Sequence, residues 1–185
     1  MSLQLVRAVA VTELSDDLHL GRLLILLKSA GGRSGIKPVA GITKLAKMDF
    51  LLRYPNCLER VLQAVELDPA NARIKPYEKN TIETKMIRFR YGPWDSRYRR
   101  WMRLLQAKGL GTTHTQGNTV YIGLTERGAE FASTLAKDEE FRDISERSKL
   151  VAKAVGDMSA SRLKDFIYEQ FPEITTMRWG EEIEI

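Results

Sequence analysis

Leu110-Gly111-Thr112-Thr113-His114-Thr115-Gln116-Gly117-Asn118-Thr119-Val120-Tyr121-Ile122-Gly123-Leu124 is the stretch on which the fold turns. Two runs, Leu110 to Thr115 and Thr119 to Leu124, are rich in Thr, Val, Tyr and Ile. Gln116-Gly117-Asn118 between them is a glycine-containing hairpin connection. Directly after the second run, Thr125 is placed to cap a helix from Glu126 to about Ala136, with Phe131, Ala132 and Leu135 inward. Glu126 suits the positive end of that helix, although Gly128 stands where a full capping box has Glu.

On the other side of the hairpin lies a basic helix. Pro93 lacks a backbone donor and Asp95 can accept one from the amides of a first turn, which predicts a helix opening at about residue 96. From Ser96 to Lys108 the apolar residues Tyr98, Trp101, Met102 and Leu105 fall on one face, and Gly109 closes the segment. At about 100° per residue, Arg99, Arg100 and Arg103 centre on the opposite side. From Lys85 to Lys108 eight Lys or Arg residues face a single acid, Asp95, so the helix lacks the acidic i, i+4 partners of a merely solvated surface. The arginine fork suits phosphate or carboxylate. Arg97, Arg99, Arg100 and Arg103 are therefore the candidate nucleic-acid contacts, with a plain solvated face as the alternative for the same pattern. The hairpin offers Thr112, Thr113, His114, Thr115, Gln116 and Asn118, which hydrogen-bond without long-range attraction, and this leaves room for a domain that mainly binds protein.

Two more helices are visible upstream. His19 to Ser29 carries Leu20, Leu23, Leu24 and Leu27 on one face, and Ile42 to Arg53 carries Ile42, Leu45, Met48 and Leu52, with Gly31-Gly32-Arg33-Ser34-Gly35 between them. Three helices, a hairpin and a closing helix predict a fold that is mainly α with a small β-hairpin, a winged helix-turn-helix core with extra helices inserted and appended C-terminally. The expected organisation is a winged-helix domain over 1–136 with a helical and loop insertion at 55–90, a C-terminal helical extension over 137–174, and an acidic tail over 175–185. Within the insertion, Pro55 to about Val65 is a short helix and Asp68 to Asn80 a loop. Thr81 to Phe89 alternates in a way that favours a strand, while Thr81 could cap a helical turn leading into an extended segment. In the extension, Glu139 to Val155 is a long amphipathic helix, and Ser159 caps a last one bearing Leu163, Phe166 and Ile167 that Pro172 ends. The tail is either frayed or held, for instance by adding as a strand to a sheet, with Trp179, Ile183 and Ile185 as candidate partner-interface residues.

Composition bounds the function. A chain of 185 residues with 43% hydrophobic residues can form a substantial core. No apolar run approaches the ~20 residues that span a bilayer, and the N-terminus lacks a basic stretch followed by an apolar one and a cleavage site, so no membrane is expected and the cytoplasm is the default location. The net charge of +5 conceals an asymmetry, because residues 137–185 hold twelve acids against eight bases. A basic body with an acidic end fits a protein that meets nucleic acid on one side and protein on the other. The lone Cys57 sits among Leu58, Val61 and Leu62 and reads as packing. One Cys and two distant His residues lack zinc-ligand spacing, no phosphate-binding Gly-x-x-x-x-Gly-Lys loop occurs, and Asp16, Asp17 and Asp49 read as caps or local salt bridges. No catalytic, metal or cofactor site is expected.

Several segments carry a resemblance. Ile42-Thr43-Lys44-Leu45-Ala46-Lys47-Met48-Asp49-Phe50-Leu51-Leu52-Arg53-Tyr54-Pro55, Arg90-Tyr91-Gly92-Pro93-Trp94-Asp95 with Tyr98, Leu124-Thr125-Glu126-Arg127-Gly128, and Arg162-Leu163-Lys164-Asp165-Phe166-Ile167-Tyr168-Glu169-Gln170-Phe171-Pro172-Glu173 together resemble the middle component of bacterial ABC-three-component systems, a group that includes the small subunit of Lamassu-type defence. The similarity spans about residues 17 to 174. It implies a non-catalytic winged-helix adaptor that joins an SMC-like or Rad50-like ATPase to an effector, often a nuclease, in an assembly acting on phage or plasmid DNA, with ATP bound by the ATPase. The alternative is an autonomous winged-helix transcription regulator.

Overall fold

The computed structural model describes residues 16–80 and 85–184. Among them the chain is mainly helical with small antiparallel sheets. In order come α1 (Asp16–Ala30), β1 (Val39–Ala40), α2 (Ile42–Arg53), α3 (Pro55–Ala64), two 3-10 turns (Pro69–Ala72 and Pro76–Asn80), β2 (Ile87–Phe89) and β3 (Gly92–Trp94). Then follow α4 (Tyr98–Ala107), β4 (Gly111–Gln116), β5 (Thr119–Leu124), α5 (Glu126–Leu135), α6 (Arg142–Val155), α7 (Ala160–Gln170) and α8 (Pro172–Thr176).

Prolines set two of the corners. A residue before proline is driven out of the helical region, and Tyr54 (φ −123°, ψ 84°) and Phe171 (φ −129°, ψ 65°) both obey. The following Pro55 and Pro172 each open a new helix at its first turn, where a missing amide costs nothing. Pro172 thus starts α8 as well as following the end of α7.

The hairpin forms with Gly111 opposite Leu124 and Gln116 opposite Thr119, so Gln116 belongs to the strand and only Gly117-Asn118 makes the turn, with Gly117 left-handed at φ 58°. β1 adds to β5 through Val39 opposite Ile122, giving a three-stranded antiparallel sheet in the order β1-β5-β4. Two residues were too short a signal to foresee. Thr125 caps α5 as expected, its Oγ1 accepting from the Gly128 amide at 2.9 Å. The same hydroxyl donates to the Gly109 carbonyl at 2.9 Å, and the Thr125 amide donates to Leu110 O at 3.1 Å, so the cap ties α5 to the end of α4. The missing capping-box glutamate has a steric cause: a Cβ on Gly128 would lie 1.9 Å from Leu110 O.

The core lies between α1, α2, α4 and the C-terminal helices. Leu23, Leu26, Leu45, Met48, Tyr98, Trp101, Ile122, Val151, Leu163 and Ile167 are all buried in one cluster, so the helices after residue 136 share the core and do not form a separate layer. Arg147 of α6 reaches into the insertion, donating to Ala72 O and Arg73 O and gripping Glu78 with both terminal nitrogens at 2.9 and 2.8 Å. One inward assignment is overturned. Ala129 and Ala132 make the close approach of α5, while Phe131 is 46% exposed at the edge of that contact.

The acidic tail is held. Glu182 pairs with Ile87, Arg88 N donates to Glu181 O at 2.7 Å and Ile183 N to Met86 O at 2.8 Å, so residues 181–183 line the free edge of β2. Ile183 is fully buried in the core of its own chain, which removes it from the candidate partner residues because no surface remains to offer. Trp179 is 67% exposed; Ile185, and the possible cap at Thr81, lie outside the described residues.

Substituting Gly128 by Ala forces its methyl group against the Leu110 carbonyl. Gly128→Ala is expected to lower the unfolding free energy by ~1–3 kcal/mol in urea denaturation, and an unchanged midpoint would contradict the close approach.

Candidate nucleic-acid interface

The basic helix forms with its first turn held from outside. Asp95 Oδ1 accepts from the Arg97 amide at 3.0 Å, an Asx-type turn that delays the regular helix to Tyr98. Tyr98, Trp101, Met102 and Leu105 are buried, and Arg99, Arg100 and Arg103 are exposed. Arg99 and Arg103, one helical turn apart, have no carboxylate or hydrogen-bond partner among the described residues. Arg100 remains accessible, with a side-chain exposure of 69%, while donating to Asp16 Oδ2 at 2.6 Å.

Arg97 does not belong with them. Its Nε and Nη2 donate to Asp95 at 3.0 and 2.7 Å, its guanidinium stacks 4.9 Å from the Trp101 ring centre, and Nη1 lies 3.3 Å from His19 Nε2. That side chain, 32% exposed, has its guanidinium engaged by the protein's own groups. It is the outer end of a buried ionic chain that composition and periodicity did not disclose.

At the centre of that chain is Asp49, fully buried in α2. Arg22 of α1 embraces it through Nε at 2.6 Å and Nη2 at 3.1 Å, and the Tyr98 hydroxyl of α4 donates to Oδ2 at 2.6 Å. Arg53, one turn later on α2, lies 3.9 Å from Asp49 Oδ2 and donates to Asp95 Oδ2 at 3.0 Å. His19 stands between the guanidinium groups of Arg22 and Arg97, at 3.0 Å from the first. Burial disfavours the Asp49 charge, but the charge and hydrogen bond of Arg22, with Arg53 and Tyr98, hold its carboxyl below the ordinary value. Asp95 is likewise opposed by burial and brought down to about 2 by hydrogen bonds from Arg97 and the charge of Arg53. Burial and the Asp49 charge push the Tyr98 phenol well up, keeping it a donor. The reading of Asp49 as a local salt bridge is therefore too small. It joins α1, α2 and α4. The clue available in the sequence is the placing of His19 and Arg22 one turn apart amid the leucines of α1.

Beside the α4 arginines stands the β2–β3 hairpin, whose turn is Arg90-Tyr91. Phe89 and Tyr91 are 44% and 46% exposed, and Phe89 contacts Trp94 at 6.2 Å and the tail residue Trp179 at 6.5 Å between ring centres. Trp94 continues inward to Tyr98, Trp101 and His19 at 5.3, 5.3 and 4.7 Å. An unbroken file of rings thus connects the surface to the ionic chain.

The β4–β5 hairpin carries no Lys or Arg. It is braced by Gln106 Nε2 donating to Thr113 Oγ1 at 2.8 Å and by His114 stacked on Tyr121 at 5.0 Å and 4°. On another side of the molecule, Gly21, Leu24, Leu110, Phe131, Leu135 and Phe141 line an open groove of about 780 Å³ between α1 and α5. Cys57 is buried, and burial pushes its thiol up, which suits packing and not nucleophilic attack. Among the described residues no group of His, Cys, Asp and Glu could hold a metal ion, and no helix is long and apolar enough to cross a membrane.

No protein-family model matches the sequence, and no curated protein or solved structure matches it either.

Removing the central carboxylate leaves Arg22 and Arg53 buried against each other. Asp49→Ala is expected to cost ~3–5 kcal/mol in chemical denaturation. The folded-state pKa values of Asp49 and Asp95 are depressed, so their contribution is complete above the unfolded value near 4 and is lost as pH falls; for Asp95 the window runs from 3.8 down to about 2. Melting followed by circular dichroism should show this acid loss, with a shallower slope in Asp95→Asn.

Proposed function

We propose that this chain is a non-catalytic winged-helix adaptor subunit of a bacterial defence complex, linking an SMC-like or Rad50-like ATPase to an effector and contributing a basic surface to double-stranded DNA. The observation that carries the DNA half is the Arg99–Arg103 edge, partnerless among the described residues, on a helix whose opposite face is buried. A structural helix gains nothing from cations held apart from every acid, whereas a phosphate backbone supplies the missing charge.

The winged-helix reading is supported by the order α1, β1, α2, α4, β4, β5, in which a short strand between the first two helices pairs with the second strand of the hairpin. In that arrangement α4 is the helix that approaches a groove and the β4–β5 hairpin is the wing. The wing lacks cations, which favours sequence-independent phosphate contact by the α4 arginines within a larger machine. Exposed Phe131 in the α1–α5 groove gives protein partners an aromatic anchor away from the arginines, and exposed Trp179, against Phe89 of the β2–β3 hairpin, gives a second. The ATPase and effector partners, the cytoplasmic setting and the defence role rest on the resemblance of the sequence segments quoted above.

Co-expression with the proteins encoded beside it, followed by purification, should yield a stable complex that binds a fluorescein-labelled duplex with an affinity that falls steeply with salt. Reversing Arg99, Arg100 and Arg103 to Glu should weaken binding at least tenfold at low salt and reduce the slope of log K against log salt by about 2 to 3, at roughly 0.9 per phosphate contact. Duplex binding that ignores the reversal would refute the DNA half. A sharp footprint by the isolated chain on its own promoter would replace the adaptor with a regulator.

A further inference from the structure

Between the β2–β3 hairpin, the start of α2 and the start of α4 lies a notch of about 180 Å³. Ile42 and Lys47 come from α2, Phe89, Tyr91 and Trp94 from the hairpin, and Arg99 from α4. We propose that this notch binds an unpaired nucleobase together with its phosphate, so that the protein grips single-stranded DNA next to the duplex-facing arginines. The inference deepens the proposed function and rests on it for the role of α4.

The walls suit a base. Tyr91 is thrown forward on a two-residue turn, and it and Phe89, both lining the notch, leave large ring areas in water. Exposed rings gathered on one short hairpin are costly to solvate and are covered by a flat π-surface, which every nucleobase has. The volume falls below the ≈300 Å³ at which pockets for larger organic ligands begin, so it admits one ring system.

The floor and mouth suit a phosphate. Lys47 is 1% exposed, yet among the described residues its ammonium donates only to Thr43 O, at 3.0 Å and within its own helix. An ammonium has three donors, and no carboxylate of the described residues meets the other two. Burial and the nearby charge of Lys164 lower its pKa to about 8, the mark of a buried cation lacking a counter-ion. Its stem runs beneath the hairpin, since a Cβ on Gly92 would stand 3.4 Å from Lys47 Cε. Arg99 at the mouth has no acidic partner among the described residues, and Arg90, beside Tyr91 on the turn, is held only over the Tyr91 ring at 5.3 Å. Among the described residues no acid lines the notch. The tail acids Glu182 and Glu184 are engaged elsewhere by Lys85. Aromatic walls with two cations in the lining, Arg90 on the turn beside them and no anion among the described residues match a nucleotide in both shape and charge.

The test uses the full chain with an oligo-dT single strand and a flush-ended duplex, both read by fluorescence anisotropy. The wild type should bind oligo-dT with quenching of its tryptophan emission. Tyr91→Ala, an exposed turn residue whose loss spares the core, and Lys47→Met, which removes a buried charge, should each weaken oligo-dT binding about tenfold while duplex affinity changes less than twofold. The proposal is overturned by a wild type that does not bind oligo-dT, by single-strand affinity unchanged in Tyr91→Ala, or by equal losses on both nucleic acids. It is also overturned if a glutamate–tyrosine copolymer displaces oligo-dT and shows the same dependence on Tyr91, which would make the notch a peptide site. Failure of the broader DNA reading is separate, because that reading predicts loss of duplex binding in the arginine reversal whatever Tyr91→Ala does.

Discussion

A carboxylate with no access to water, Asp49, fixes how three helices meet. Its two oxygens are claimed by α1 through Arg22 and by α4 through Tyr98, with Arg53 of its own helix alongside. Hydrogen bonds of this kind hold only within a few tenths of an ångström, so the rotation of α4 about its axis is set from inside. The outward direction of Arg99 and Arg103 follows. A buried ion pair adds little net stability over a well-packed apolar contact, because both charges are desolvated. What it contributes here is orientation: a leucine cluster would tolerate α4 turned by part of a residue, and the Tyr98 hydroxyl bonded to an Asp49 carboxylate that Arg22 holds in place does not.

The same helix faces two environments that divide the charges of the molecule. Inward, every strong cation of the network is matched, with Arg22 and Arg53 against Asp49 and Asp95, and Arg97 against Asp95. Outward and towards the aromatic hairpin, Lys47, Arg99 and Arg103 are unmatched among the described residues. The boundary runs through Trp94 and Tyr98, whose rings separate the saturated interior from the unsaturated surface. The chain could balance these outer cations, having twelve acids after residue 136, but several of them pair instead with Lys75, Lys85, Lys149 and Lys164.

Helix positions were legible wherever a cap or a proline coincided with a helical period. α2 has the bounds expected, and Thr125 and Ser159 cap as their positions demanded. These are local effects of neighbours within four residues. Long-range pairing was not legible. Arg22 and Asp49 are 27 residues apart and Arg53 and Asp95 are 42 apart, and a charge in an apolar stripe says that it is paired without saying with what. Phe131 misled for a related reason: on a helix docked through two alanines, the large ring beside them is pushed to the rim. Of the candidate contacts, Arg99, Arg100 and Arg103 came from the period of α4 alone. The exclusion of Arg97 needed the turn geometry at Asp95, and the exclusion of Ile183 needed the tail's return to β2.

That return hangs on one hydroxyl. Tyr54 OH accepts from the Met86 amide at 2.8 Å and donates to Ile183 O at 3.0 Å, closing a loop of 129 residues. During translation at about 5–20 residues per second, Tyr54 is added to the chain roughly 6 to 26 seconds before its last partner is. From the time β2 is made until residues 181–183 follow, the strand edge that they cover is unpaired, and such an edge is a template for pairing with another chain.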